Sequence, residues 1–284
     1  MKYLIINADD FGLHETVNLG IIQGFTTGCI TSTSIMAVGH AFEHAVTLAT
    51  AHPKLGIGVH LTLVGEKPVC KPDQVKSLVD KQGCLAPQYP QFLLRYLLGQ
   101  IDLGDIRREL TAQVQKVVDS GLSITHLDSH QHMHIVPGIS NVTMAIGKEF
   151  GIKAVRIPAE PYFFVGGYPC SAPRIIARAG LTCLAQLARR KFGKGGLAMP
   201  QHFFGMLAGG NMGEEFLLKI IDRLPDGISE IMMHPGTNNA ELNNKYDWNY
   251  HGQEELEAVT SEQLRSRLVS QNITLVSFRD LAYG

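Results

Sequence analysis

Tyr3-Leu4-Ile5-Ile6-Asn7-Ala8-Asp9-Asp10 is a short apolar run that ends in two adjacent carboxylates, and four later stretches repeat the arrangement. Val59-His60, His126-Leu127-Asp128-Ser129-His130-Gln131-His132-Met133-His134, Val155-Arg156-Ile157-Pro158 and Met233-His234-Pro235 each put an ionisable side chain at the end of an apolar segment. In α/β folds with parallel strands, reactive groups gather at the carboxyl ends of the strands, so residues distant in sequence meet in one cleft. Five such endings, spread over most of the chain, predict that architecture.

Working outward, β-type runs are expected over Tyr3–Ala8, Ser32–Val38, Gly56–Leu63, Ile124–Ser129, Ala154–Ile157, His202–Met206, Glu230–Met233 and Thr274–Phe278. Between them, Glu15–Thr27, Ala41–Ala51, Asp105–Ser120, Ile139–Phe150, Arg174–Lys191, Glu214–Leu224 and Ser261–Gln271 have the length and apolar spacing of helices. Gly28, Gly121 and Gly151 follow three of these stretches as helix terminators. Seven or eight β–α units predict a distorted (β/α) barrel, with an open doubly wound sheet as the competing architecture.

The length of 284 residues fits one such domain, residues 1–284, because barrels of this type run to about 250 residues. Two stretches break the rhythm. Residues 65–104 carry Lys67-Pro68, Lys71-Pro72 and Pro87 to Pro90 ahead of the apolar patch Phe92–Leu98, and read as a lid-like insertion after the third strand. Pro161 through Gly167 to Ala208 combines glycines with a basic amphipathic helix bearing Arg174, Arg178, Arg189, Arg190 and Lys191.

Hydrophobic residues make up 45% of the chain and charged ones 18%, which supports a large core and excludes a disordered chain. Lys plus Arg number 25 against 26 for Asp plus Glu, so no net field draws the molecule to nucleic acid, and a neutral or weakly charged substrate fits best. Cys29, Cys70, Cys84, Cys170 and Cys183 are odd in number and lack C-x-x-C spacing, as expected of reduced thiols in a cytoplasmic protein. The amino terminus turns acidic too early for a secretory leader, and no apolar run approaches a membrane span, so a soluble protein is expected.

A hydrolytic metal needs a few oxygen or nitrogen ligands on one side and open positions on the other, which one aspartate and two histidines supply. On a regular strand Asp9 and Asp10 would point to opposite faces. At a strand end turning into Phe11-Gly12 both can lean over the cleft, one to bind metal and one to take a proton. On its own, Asp-Asp before Phe-Gly would also suit a turn or a helix cap. His126, Asp128, His130, His132 and His134 share one parity, and same-face neighbours on a strand lie roughly 6 to 7 Å apart. With metal–nitrogen bonds of about 2.1 Å, one or two of the histidines can ligate, leaving the others to hold ligands or contact substrate. His60 follows Gly56-Ile57-Gly58-Val59, where glycines allow close backbone approach, and fits either a ligand or a satisfied core histidine. His234 precedes Pro235-Gly236, which turns the chain at a strand tip. A buried Arg156 needs a carboxylate partner, and Asp9 is a natural one.

Asn7–Gly12, Thr31–Ser34, Gly58–Leu61 and Thr125–His134 closely resemble the YdjC-like carbohydrate deacetylases over most of the chain. The resemblance implies a metal-dependent enzyme on a distorted (β/α) barrel, distantly similar to NodB-type polysaccharide deacetylases, that removes an N-acetyl group from an amino sugar. By position it implies Asp10, His60 and His130 as metal ligands, Asp9 as base, His234 as acid and Arg156 as the group that orients the base. His132, His134 and Asp128 would contact substrate or hold the ligands. Pro200–Gly205 and Leu224–Gly227 resemble the hopanoid-biosynthesis-associated branch, whose implied substrate is a glycosylated lipid. NodB-type enzymes draw both histidine ligands from one short motif, whereas here they come from different strands, so one divalent ion, Mg2+ or Zn2+, is expected without a choice between them.

Two other readings use the same residues: a metal-dependent hydrolase of another amide or ester, and a metal-stabilised sugar-binding protein without turnover. The resemblance extends to a homodimer. The basic helix and the Phe92–Leu98 patch fit either peripheral membrane contact or an outer barrel helix and a packed lid.

Overall fold

In a computed structural model of the chain, residues 1–162, 164, 171–246 and 249–283 are described. Gly167 and Cys170 lie outside them. Strands β1 (Lys2–Phe11), β2 (Ser32–Ile35), β3 (Gly56–Leu61), β4 (Ile124–Ser129), β5 (Ala154–Val155), β6 (His202–Phe204), β7 (Gly227–Met233) and β8 (Ile273–Leu275) are all parallel, in the order β5-β4-β3-β2-β1-β7-β6. The eighth pairs with the lower part of β1, Lys2 against Ile273 and Leu4 against Leu275, while β2 pairs the upper part of the same edge, from Asn7 against Ser32 onward. Across the remaining gap, Ala198 bridges Ala154. The sheet is the expected distorted barrel, and it does not open into a doubly wound layer.

Helices α1 (Glu15–Thr26), α2 (Phe42–Ala51), α3 (Tyr89–Leu97), α4 (Leu103–Asp119), α5 (Ile139–Glu149), α6 (Ala172–Lys194), α7 (Glu214–Ile221), α8 (Asn239–Lys245), α9 (Gly252–Thr260), α10 (Glu262–Ser270) and α11 (Phe278–Tyr283) complete the chain. Leu4, Ile6, Ala8, Val59 and Ile231 belong to the main apolar core, with buried residues of the surrounding helices such as Ile21, Ala45, Val114 and Ile220. The residues of opposite parity fill the barrel. Ile5, Ala154 and Phe278 form an apolar plug, and the His126 ring stacks on Phe278 at 3.7 Å. Gly58 makes room for that ring, since a Cβ there would meet it at 2.3 Å. Above the plug the barrel interior becomes polar, which is unusual enough in a core to require pairing of every charge.

Residues 65–104 are held to their surroundings by side-chain to backbone bonds. Glu109 accepts from the amides of Val69 and Cys70, Tyr96 Oη donates to Pro137 O at 2.7 Å, and the Tyr89 amide donates to Gln131 Oε1 at 2.9 Å. Leu94, Leu97 and Leu98 on their helix stay exposed. On α6, Arg178 is buried and donates to the carbonyls of Tyr162 and Phe164, and Arg189 donates to those of Pro200 and Gln201. Among the described residues no helix is long and apolar enough to cross a membrane. Cys29, Cys70, Cys84 and Cys183 are free thiols.

The structure corrects one expectation about the histidine run. Strand β4 stops at Ser129, and His130–Ile135 form a 3-10 turn in which Gln131 and His132 take left-handed φ values of 54° and 56°. A shared parity therefore holds only for His126 and Asp128, and the three later histidines point in directions set by the turn.

Candidate functional site

Asp9 and Asp10 reach the same cleft because β1 is irregular at its end. The pairing with β2 shifts register between Ala8 and Phe11, and Asp10 has φ 65°, a left-handed conformation that a short polar side chain tolerates better than most. Gly12 follows at φ 94°. Both carboxylates are buried and line one cavity.

Asp10 Oδ1 lies 3.0 Å from His130 Nδ1 and 3.3 Å from His60 Nε2. The ligand-capable atoms of the three residues fall within 4.8 Å of one another, and all three side chains are buried. A divalent ion with bonds of about 2.1 Å keeps adjacent ligand atoms roughly 3 Å apart, so the spacing fits. Burial would push the Asp10 carboxyl up, but the His130 and His60 rings hold it well below the usual carboxylate range. His60 Nδ1 is taken by Asp128 Oδ1 at 2.8 Å, which fixes the ring and turns Nε2 toward Asp10. Burial disfavours a proton on His60, yet Asp128, Asp9 and Asp10 outweigh it and raise its pKa to about 10.

Asp9, His60 and Asp128 also lie close enough to share an ion. Both of those carboxylates, however, already face one guanidinium. Arg156 is fully buried and donates to Asp9 Oδ2 and Oδ1, each at 2.6 Å, while its Nη1 sits 2.8 Å from Asp128 Oδ2 and its Nε donates to Glu230 Oε1 at 2.7 Å. A second cation there would meet a resident positive charge, which counts against that trio as a metal site. Asp9 Oδ1 also accepts from Asn7 Nδ2 at 2.8 Å. Its two oxygens thus take three donors, two on Oδ1 and one on Oδ2, and a carboxylate has about four acceptor positions. The open one belongs to Oδ2.

Arg156 lies just past the two-residue β5, where its backbone carbonyl accepts from His134 Nε2 at 3.0 Å. His134 Nδ1 pairs with Ser129 Oγ at 2.6 Å, and the ring stacks on Phe192. Burial lowers its pKa to about 4, so it is a neutral strut that holds the arginine segment against the turn. His132 is buried edge-on to Phe203, and its Nδ1 has no partner among the described residues. His126 lies deeper, with burial lowering its pKa to about 3 and Ser34 Oγ within 3.2 Å of Nε2. Ser34 donates to Asp128 Oδ2 at 2.7 Å.

His234 closes β7 on another wall. It lines, with Asp9, Asp10, Leu13, Val17, Leu242, Asn243, Tyr246 and Tyr250, a small cavity. The ring centroid lies 5.0 Å from that of Tyr250, the Nδ1 atom has no partner among the described residues, and the backbone amide donates to the buried Glu255. Asn7, Ser34, Glu230, Glu255, Tyr246 and Tyr250 were not singled out as site residues from sequence. Glu230 carried a readable signal, a charge that opens an apolar strand end; Tyr246 and Tyr250 lie in a segment without periodicity, beside a short helix.

The sequence profile described as "YdjC-like protein" matches residues 3–270. Carbohydrate deacetylases of Clostridium beijerinckii and Brevibacillus brevis are each 31% identical to this chain, with 98% of it and 99% of the relative covered. A solved structure from Enterococcus faecalis V583, described as a candidate cellobiose-phosphate cleavage protein, superposes with a TM-score of 0.79 at 26% identity over 99% of both chains.

Proposed function

This chain belongs to the YdjC-like family, and from that premise we propose that it is a carbohydrate deacetylase, a metal-dependent hydrolase that removes the N-acetyl group of an amino sugar and releases acetate. The observation that carries the reading is the convergence of Asp10, His60 and His130 beside an Asp9 that Arg156 holds in place. The activity in the names of its full-length relatives supports it.

Asp10, His60 and His130 would hold one divalent ion, which when bound lowers the pKa of water and polarises the acetamide carbonyl. Asp128 fixes the His60 ring so that Nε2 faces the site. Asp9 takes the proton of the attacking water on Oδ2, the oxygen with an open acceptor position. Arg156 fixes the plane of that carboxylate through two bonds, so no reorientation is needed as the water is deprotonated. His234, in the same cavity, gives a proton to the departing nitrogen, which an amine needs because it leaves poorly as an anion. The substrate is an N-acetylated amino sugar, as an oligosaccharide or a lipid-linked glycoside.

The test is acetate release from N-acetylglucosamine, N,N′-diacetylchitobiose and an N-acetylglucosaminyl lipid, each with Mg2+, Zn2+, Co2+ or Ni2+. Acetate from one or more of the sugars is expected. No release from any sugar, or faster hydrolysis of simple esters and non-sugar amides, would overturn the reading.

A further inference from the structure

His60 and His134 each have Nδ1 fixed by a partner, Asp128 and Ser129, whereas His234 Nδ1 has none among the described residues. No bond from that nitrogen orients the His234 ring. Its direction depends on the main chain that carries it and on the Tyr250 ring packed beside it.

One side chain ties both together. Glu255, in the first turn of α9, is fully buried, and each of its oxygens accepts from a backbone amide: Oε2 from His234 and Oε1 from Met212 at 2.9 Å. Its own amide donates to His251 O at 3.1 Å, and His251 N donates to Gly210 O at 2.7 Å, so the chain next to Tyr250 is anchored through the same helix turn. Just beyond His234, Gly236 N donates to Gly252 O at 2.9 Å. A Cβ on Gly252 would meet Gly236 N at 2.9 Å and His234 O at 3.1 Å, so α9 begins in backbone contact with the end of β7.

Two N–H groups aimed at two oxygens call for a carboxylate, because a glutamine would accept from one amide and turn its own NH2 toward the other. Burial raises the Glu255 pKa against the pull of the His234 charge and the two amides, while the first turn of a helix favours the ionised form. A buried carboxylate is costly unless well paired, and the reaction proposed above uses neither of its oxygens directly.

We propose that Glu255 is the positioning residue of His234: through the main-chain amides of His234 and Met212 it holds the end of β7 against α9 and so aims the imidazole into the cavity shared with Asp9 and Asp10. Where a carboxylate orients a catalytic histidine in the familiar way, it bonds Nδ1 itself. Here it bonds the backbone instead. The deacetylase reading is needed only for what the aimed ring then does, which is to deliver a proton to the departing nitrogen.

Glu255→Gln, His234→Gln and the double variant would be compared with the wild type, all loaded with Zn2+. By NMR, the three-bond couplings to His234 Cγ should report one rotamer in the wild type and averaging over rotamers in Glu255→Gln. With N,N′-diacetylchitobiose, kcat should fall about tenfold in Glu255→Gln, with KM changed less than about threefold and metal content equal. The same substitution made on top of His234→Gln should cost less than about twofold, because no imidazole is left to aim. A lowered Tm with the single rotamer and kcat retained would mean that Glu255 is only a structural clasp, and would overturn the proposal. Equal losses of kcat with and without His234 would overturn it too. Should Glu255→Gln fail to fold, the wild type decides: one rotamer and a His234 amide proton shifted downfield by its carboxylate acceptor are expected, and an averaging ring or an unshifted amide would overturn the proposal. A rotamer lost in Glu255→Gln while no form releases acetate would sustain the positioning role and sink only the deacetylase reading.

Discussion

On the wall built by β1, β3, β4 and the residue after β5, the carboxylates and their partners interlock. Asp10 meets His60 and His130, Asp128 meets His60, Ser34 and Arg156, and Asp9 meets Asn7 and Arg156. The wall at the end of β7 is built differently: His234 leaves Nδ1 without a partner among the described residues and borders a cavity walled by Leu13, Val17 and Leu242 as well as polar groups. The first arrangement fixes charge before any ligand arrives, so that no reorganisation is needed during reaction. The second keeps one ring nitrogen unpaired among the described residues, open to a ligand. The contrast separates a pre-built electrostatic centre from a receptive surface within one cleft.

Breaking the first wall should have the largest effect. In His130→Ala the ion should be lost, with bound metal falling from about one equivalent to near zero by elemental analysis and turnover falling on the order of 10^4-fold or more. Asp9→Asn probes the same wall without touching the metal set. It should keep its metal while kcat falls by about 10^3-fold, within the range of general-base loss. Equal metal loss in both variants would mean that Asp9 belongs to the ligand set and that the chosen trio is wrong.

The second wall sharpens the comparison with a smaller effect. His234→Gln should retain metal and fold, and lower kcat by about 10^2-fold. Its deficit should shrink for an ester analogue of the substrate, because an alkoxide leaves without full protonation more readily than an amine anion. An equal deficit for amide and ester would assign His234 to binding rather than to proton delivery.

Much of this cleft was legible in the sequence, and the reason is physical. Strand ends in a parallel barrel converge, so Asp9, Asp10, His60, Asp128, Arg156 and His234 could be expected together from their positions after apolar runs. The bulge at Asp10 was foreseeable only as a need, since two adjacent strand residues cannot otherwise share a face. The fate of His132 and His134 was hidden because their direction depends on two left-handed residues, Gln131 and His132, that no alternation pattern encodes. Helices α8 and α9 were also missed. The first has seven residues and the second nine, too short for periodicity to declare itself, and their value lies in the loop positions they fix.

The smallest expected effect concerns the charge around Arg156, to which β7 adds a buried carboxylate deep below its tip. Three carboxylates, Asp9, Asp128 and Glu230, surround one Arg156, and burial raises the Glu230 pKa from 4.5 to about 7 despite that arginine. Its Oε2 has no hydrogen-bond partner among the described residues. A folded-state pKa above the unfolded one means that the folded protein binds more protons between pH 4.5 and about 7. The stability this contributes is fully present below pH 4.5 and is lost as pH rises through about 7. His126 and His134, lowered to about 3 and about 4, have the opposite sign: their contribution is present above pH 6.5 and is lost as pH falls. Glu230→Gln removes only the first component. Urea unfolding of both proteins at pH 5 and pH 7.5 should therefore show the stability difference between wild type and variant shifting toward the wild type at pH 5, by on the order of 1–3 kcal/mol. Comparing the two proteins at each pH cancels the histidine terms and any metal lost in acid. An identical pH slope in the variant would mean that Glu230 stays ionised beside Arg156, and that three buried negative charges surround one guanidinium.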